Sequence, residues 1–564
     1  MRASPLLLLA GPAVALVLSG APTAPPGDDL VLEGGRVVDG TGAPAFAADV
    51  AVLGGRIAAV GPLPEARKAA ARRRVDARGL VVAPGFIDLL GQSEYNVLVD
   101  PRAVSKVTQG ITTEVTGEGS SIAPLNERLL ADGEDVWRRW GVRPGWTTLA
   151  GYFERFGRTP PTINLATFVG LGGLRDLVMG KADRRPTAAE TAAMETEIGK
   201  AMDDGALGVS ASLQYVPDLW FTTDDLVALC RVAARRGGVF FVHQRSEGDR
   251  VLESLEEVLR IAREAGIPTD VWHLKTGGAR NHGKMKAVLA RIEAARAEGL
   301  DVAANQYPWN ASSNGLDACL PPWVREGGRE QLLERLRDPA LRERAKADMA
   351  DAAASWENQW LGASAGAGVL VSAVLDPKLS RYAGRRITEI AASEGKDPRD
   401  ALIDLVLADR ANASGIHFTM SEDDVRLALA HRLVAFCTDS GAVAPDGPFA
   451  GQRSHPRAWG SATRILGTYV REERLLPLEE AVRKMTSLPA ARARLEDRGL
   501  LRPGLAADVT LFDPARVRAL STFEEPARTS DGVPYVLVNG ELVVDGGRVT
   551  GARPGRILKG PSAR

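Results

Sequence analysis

Eight short apolar runs, strung through the middle of the chain and separated by amphipathic stretches, constrain its fold more than any other feature. They are LVVAPGFIDLL (80–90), ITTEVTG (111–117), INLATFVGL (163–171), ALGVSAS (206–212), GVFFVHQ (238–244), TDVWHLK (269–275), DVAANQY (301–307) and RLVAFCTD (432–439). Each has the length and composition of a strand. Between them, TAAETAAMETEIGKAMDDG and TTDDLVALCRVAARRG begin with Thr and close on Gly, as helices do. Strand and helix in alternation imply parallel βα units. Eight such units match an α/β chain folded as a (β/α)8 TIM-type barrel, here over 80–499. The stretch from Pro308 to His431 is far longer than one crossover helix and predicts an insertion around 309–430.

The two ends read differently. DLVLEGGRVVDGTGAPAFAADVAVLGGRIAAVG, within 29–79, and AADVTLFDP and YVLVNGELVVDGGRVTG, within 500–560, are short alternating runs broken by GG, DG and NG turns. We expect them to form one small β-sandwich from both chain ends. Arg2 precedes the run LLLLAGPAVALVLSGAPTA, so residues 1–24 read as a signal peptide. This implies an exported protein, periplasmic or extracellular, with no stable membrane anchor after cleavage. If the run is not a signal, the protein is cytoplasmic. Lys+Arg 70 against Asp+Glu 71 leaves a net charge of -1 without a basic stripe, which argues against a nucleic-acid partner. Cys230, Cys319 and Cys437 are widely spaced, outside any C-x-x-C motif, and give no disulfide framework.

Four side chains carry the chemistry. Glu118, His243, His273 and Asp439 each stand at or near the end of a predicted strand, and strand C-terminal ends converge on one mouth of such a barrel. Two imidazoles and two carboxylates suit a divalent metal, zinc above all. An open position would hold a water, and Asp439 could take its proton and pass it to a leaving amine. A lone strand-end His is more often structural, but two with two acids, among only 6 His in the chain, weigh towards a site. His417 and His431 lack that acidic context and read as surface or outer positions. His282 either lines the mouth or faces solvent. Cys437 reads as a core thiol.

The residues also resemble a known family. APGFID at Ala83, KVTQGITTEVTGEG at Lys106, HQRSE at His243, HLK at His273, NQYPWNASS at Asn305, PPWVREGG at Pro321, TDSG at Thr438, HPRAWG at His455 and the long VRKMTSLPAARARLEDRGLLRPGLAADVTLFDP at Val482 are similar to the D-aminoacylase branch of the amidohydrolase superfamily, the N-acyl-D-amino-acid deacylases. The resemblance runs from about Leu30 to Arg556. It implies a zinc-dependent barrel that hydrolyses the amide bond of N-acyl-D-amino acids. It further implies His243 and His273 as ligands, Asp439 as catalytic acid/base beside the metal, and Glu118 at the position of the family's metal-bridging Cys. By the same resemblance a substrate carboxylate meets Lys275, Tyr307, Ser313 and Arg457. The family's His-x-His after the strand-one Asp falls on Leu90 and Gln92, which follow Asp88. Leu cannot ligate and Gln ligates poorly, so one Zn2+ is expected rather than two. Two alternatives stay open: a D-dipeptide, imide or hydantoin-type cyclic amide hydrolase on the same scaffold, and a catalytically degenerate exported binding protein.

Overall fold

The computed structural model describes residues 27–563, so the leader expected over 1–24 lies outside the described residues. The eight predicted strands all form: β1 (Phe86–Asp88), β2 (Ile111–Thr116), β3 (Asn164–Thr167, continuing at Val169–Gly170), β4 (Gly208–Ser212), β5 (Val239–His243), β6 (Thr269–Val271), β7 (Val302–Gln306) and β8 (Val434–Phe436). Every neighbouring pair from β1 to β8 is parallel. The ring closes just past the strand ends, where Asp439 N–H donates to Leu90 O (2.7 Å) and Gly91 bridges Ser440. Side chains finish this seam. Thr438 N–H and Oγ1 bond the two Asp88 carboxylate oxygens, and Lys106 Nζ donates to Asp88 Oδ2 (2.9 Å), Thr438 Oγ1 (2.8 Å) and Ser440 O (2.6 Å).

The helices form where caps and periodicity place them. Ala188–Asp204 starts on a capping box between Thr187 and Glu190, and Thr223–Ala234 on one between Thr222 and Asp225.

One predicted strand divides. In LVVAPGFIDLL, Val81–Pro84 leaves the barrel and pairs antiparallel with Val509–Phe512, and only Phe86–Asp88 enters the barrel. The joint is Gly85, where a Cβ would lie 2.2 Å from Thr112 Oγ1. The backbone therefore passes too close to β2 for any side chain.

Val81–Pro84 belongs to a nine-stranded sheet that unites segments from residues 30–84 and 509–549. Its edge strand Arg56–Gly61 returns to the C-terminal segment, with Ile57 N–H donating to Leu505 O (2.9 Å) and Arg56 bridging Ala506. The sheet thus encloses an apolar core of its own that includes Leu32, Val50, Ile57, Val509 and Leu537. Val81, Phe512, Val536 and Val538 pack with the barrel helices.

Between β7 and β8 the chain builds a three-stranded antiparallel sheet (Ser312–Gly315, Val369–Ala373, Ser414–His417) over a separate cluster that includes Leu333, Trp360 and Leu402. His417 is fully buried there, its Nδ1 3.9 Å from Cys319 Sγ, and burial lowers its pKa to about 4. It is an interior residue and not a surface one. His431 bonds Glu293 (3.1 Å) near the surface, and His282 faces solvent. No helix among the described residues is long and apolar enough to cross a membrane.

Candidate active site

Glu118, His243 and His273 meet at the C-terminal mouth of the barrel. Glu118 follows β2, His243 ends β5, and His273 lies two residues past β6 with φ +33°. A positive φ is sparsely populated for a residue with a side chain, and here it turns the ring inward. Glu118 Oε1 is 3.0 Å from His243 Nδ1 and 3.0 Å from His273 Nε2. The three ligand atoms lie within 4.8 Å of one another. Burial favours a protonated Glu118, yet the two imidazoles hold its pKa well below the usual carboxylate range. Burial and Lys275 pull His273 down, but the Glu118 and Asp439 carboxylates prevail and lift it to about 9. The cluster therefore pairs an ionised Glu118 carboxylate with a protonated His273. Two imidazole nitrogens sharing one carboxylate oxygen fit a divalent metal by donor chemistry.

The strand-one substitutions have distinct consequences. Leu90 is fully buried in the barrel interior with Val115, Phe241 and Trp272, and offers nothing to an ion. Gln92 stays at the mouth, and its Nε2 donates to Glu118 Oε2 (2.7 Å). The carboxylate oxygen turned away from the histidines is thereby occupied by an amide.

Asp439, expected beside the metal as both base and ligand, stands outside the trio. It has φ +50°, and its Oδ2 pairs with Arg457 Nη1 at 2.8 Å. Burial raises the Asp439 pKa against the pull of Arg457 and His273. Arg457 is buried, its Nη1 meeting Asp439 Oδ2 and its Nη2 donating to Ser313 O (3.3 Å), while the N–H on Nε has no hydrogen-bond acceptor among the described residues. A buried guanidinium with a donor left over favours a further acceptor beside Asp439.

Lys275 Nζ donates to Glu247 Oε1 (2.5 Å) and lies 2.8 Å from His273 Nδ1. With Ser313, Gln359, Asp439 and Arg457 it lines a cavity of about 220 Å³ over the trio. Tyr307 does not reach this cavity. Its ring lies under Arg457 and Lys275, at 4.7 and 5.7 Å, and its hydroxyl points to Met420 Sδ (3.5 Å). Strand β7 ends at Gln306, so strand alternation no longer sets the direction of the next side chain. The Tyr307 hydroxyl, expected at a substrate carboxylate, points to Met420 in this structure.

Three residues escaped the sequence reading. Gln214 Oε1 accepts from His243 Nε2 (2.9 Å). Tyr215 packs edge-on against His243 (4.9 Å) and is held by Asn314, whose Nδ2 donates to its hydroxyl (2.9 Å). Glu247 lies between the two histidines and Lys275. The last was visible as the acid in HQRSE. The first two follow β4 in a segment without motif character.

Residues 73–544 match the amidohydrolase family. The chain is 36% identical over 531 residues to a D-aminoacylase of Alcaligenes xylosoxydans xylosoxydans, covering 94% of this chain and 97% of the relative. It superposes with a TM-score of 0.78 and 35% identity on an N-acyl-D-glutamate deacylase from Bordetella bronchiseptica, solved with zinc and a phosphonate mimic of the tetrahedral intermediate; 94% of this chain and 100% of that one are covered. A D-aminoacylase with a binuclear centre, activated by one metal and attenuated by a second, matches at a TM-score of 0.77 and 35% identity over the same shares.

Proposed function

Because the chain belongs to the amidohydrolase family, in its D-aminoacylase branch, we infer that it is a metal-dependent hydrolase that removes the acyl group of N-acyl-D-amino acids. One observation carries the reading: His243 Nδ1 and His273 Nε2 converge on Glu118 Oε1 at the mouth of the barrel, beside the buried Asp439–Arg457 pair. Glu118, His243 and His273 would hold the ion. A divalent ion there supplies Lewis acidity and makes water acidic enough to attack an amide near neutral pH.

The protein's own residues do the rest. Asp439 accepts the proton of the attacking water and returns it to the leaving nitrogen. Arg457 holds Asp439 in place through Oδ2. Arg457 with its unmet Nε–H, the Lys275 ammonium and the Ser313 hydroxyl belong to residues that line the cavity, with the chemistry of a carboxylate site. Gln92 braces Glu118 from behind, and with Leu90 it leaves strand one without a ligand for a second ion.

The purified protein is expected to carry one zinc per chain and to release the amino acid from N-acetyl-D-amino acids in preference to their L counterparts and to their amides. Excess zinc should leave the rate unaltered. Two tightly held ions by elemental analysis would overturn the single-ion reading. Preference for hydantoins or D-dipeptides would move the substrate class, and metal uptake without turnover would make the chain a binding protein.

We also propose export, supported by the leader-like run behind Arg2. The mature chain is expected to start after Ala21–Ala24 and to be found outside the cytoplasm. Native protein whose N-terminal sequence begins at Met1 would rule this out.

A further inference from the structure

We propose that Glu247 is the positioning residue that keeps His273 a metal ligand, by accepting the hydrogen of its outer nitrogen and neutralising the lysine beside it. The inference rests on Glu118, His243 and His273 as the ligands. Both imidazoles point one nitrogen at Glu118 and the other away from it. For a neutral ring to offer a lone pair inward, its hydrogen must sit on the outer nitrogen and find an acceptor there. For His243 the acceptor is Gln214 Oε1, 2.9 Å from Nε2. For His273 it is Glu247 Oε1, 3.2 Å from Nδ1.

The second neighbour of that nitrogen works the other way. Lys275 Nζ lies 2.8 Å from His273 Nδ1 and is a donor only. Left alone with the ring, the ammonium would donate into Nδ1. The ring hydrogen would then occupy Nε2, the nitrogen turned towards Glu118, and no lone pair would face the metal position. Glu247 Oε1 lies 2.5 Å from Lys275 Nζ and draws the ammonium to itself. The same oxygen is 3.6 Å from His243 Nε2, too far for a hydrogen bond, and that ring keeps Gln214 as its acceptor.

Glu247 is held to this task. Its carbonyl accepts from Gly277 N–H (2.6 Å), tying the loop after β5 to the loop after β6. Ser246 beside it bonds Glu357 Oε2 (2.7 Å) from the insertion. The side chain is only 9% exposed, so water offers little substitute for it.

The test is zinc affinity, measured on metal-free protein by chelator competition, for the parent, Glu247→Gln, Lys275→Met and the double variant. Glu247→Gln is expected to weaken zinc about 10–100-fold, the usual effect of losing an outer-shell partner of a ligand. Adding Lys275→Met to it should recover most of that loss, because the competing donor is gone. A purely structural defect would not be repaired by removing a second buried side chain. Parent-like zinc affinity in Glu247→Gln, or a double variant that binds more weakly still, would overturn the proposal. If Glu247→Gln fails to fold by circular dichroism, Glu247→Asp decides: it keeps the charge but shortens its reach, and unchanged zinc affinity in it would overturn the role. A parent that takes up no zinc would instead overturn the ligand assignment on which the inference rests.

Discussion

Asp439→Asn is expected to lower kcat by about 10²–10⁴-fold, the usual cost of removing a general base, with zinc content and thermal stability close to the parent. The reason for so selective a loss is geometric. Asp439 is fixed by its backbone, since its N–H donates to Leu90 O at 2.7 Å and its φ of +50° suits the left-handed region that asparagine enters more readily than most residues. The amide keeps the volume of the carboxylate and can still present an oxygen to Arg457. What disappears is a lone pair basic enough to take a proton from water. Because Asp439 stands outside the Glu118–His243–His273 trio, the ion should remain. The measurement is steady-state kinetics alongside metal per chain and a melting curve. Turnover at the parental rate would remove Asp439 from the chemistry, and loss of zinc would return it to the ligands.

The second large effect concerns stability. Lys106→Met is expected to destabilise the fold by about 3–5 kcal/mol, the cost of stranding buried charges by deleting their partner. Lys106 is fully buried, with Asp88 Oδ2 at 2.9 Å and Glu114 Oε1 at 3.5 Å, both also fully buried. Its ammonium also ties Thr438 and Ser440 of the last barrel segment to Asp88 of the first, so the variant loosens the seam that closes the ring. Burial already pushes the Glu114 carboxyl up to about 7 against the pull of Lys106. A carboxyl whose pKa is raised by folding stabilises the fold while protonated and loses that contribution as pH rises through its folded pKa. The deficit in Lys106→Met should therefore be smallest in acid and grow as pH rises. Urea unfolding midpoints across pH read it directly, and a midpoint equal to the parent's at neutral pH would refute the assignment of the seam to this lysine.

Range along the chain decided how much of this was legible in the sequence. The barrel strands were legible because each is a short apolar run between capped helices, a signal contained within a dozen residues. The grouping of Glu118, His243 and His273 was legible because strand ends of one barrel share a mouth. Local pattern also misled. LVVAPGFIDLL is unbroken in hydrophobicity, yet contact with Thr112 divides it between two sheets at Gly85. Strand alternation does not account for Lys275 sharing a cavity with His273. Strand β6 ends at Val271, and the positive φ of His273 resets the direction of the side chains after it. Tyr307 likewise follows the end of β7, with its ring beneath Arg457 and Lys275. The outer supports were illegible because each is a pairing across elements: Gln214 with His243, Gln92 with Glu118, and Glu247 with both histidines and Lys275. No periodicity records such pairs.

The joint between Val81–Pro84 and Val509–Phe512 has a kinetic corollary. These strands pair across about 430 residues of intervening chain, a loop closure whose entropic cost must be met before any contact repays it. During synthesis the first strands emerge with an unsatisfied hydrogen-bonding edge and wait for nearly the whole polypeptide. The βα units between them can meanwhile collapse on neighbouring partners. The edge should thus be the last part of the molecule to acquire protection from hydrogen exchange during refolding, and the segment around Val81 the one most exposed to aberrant strand pairing while it waits.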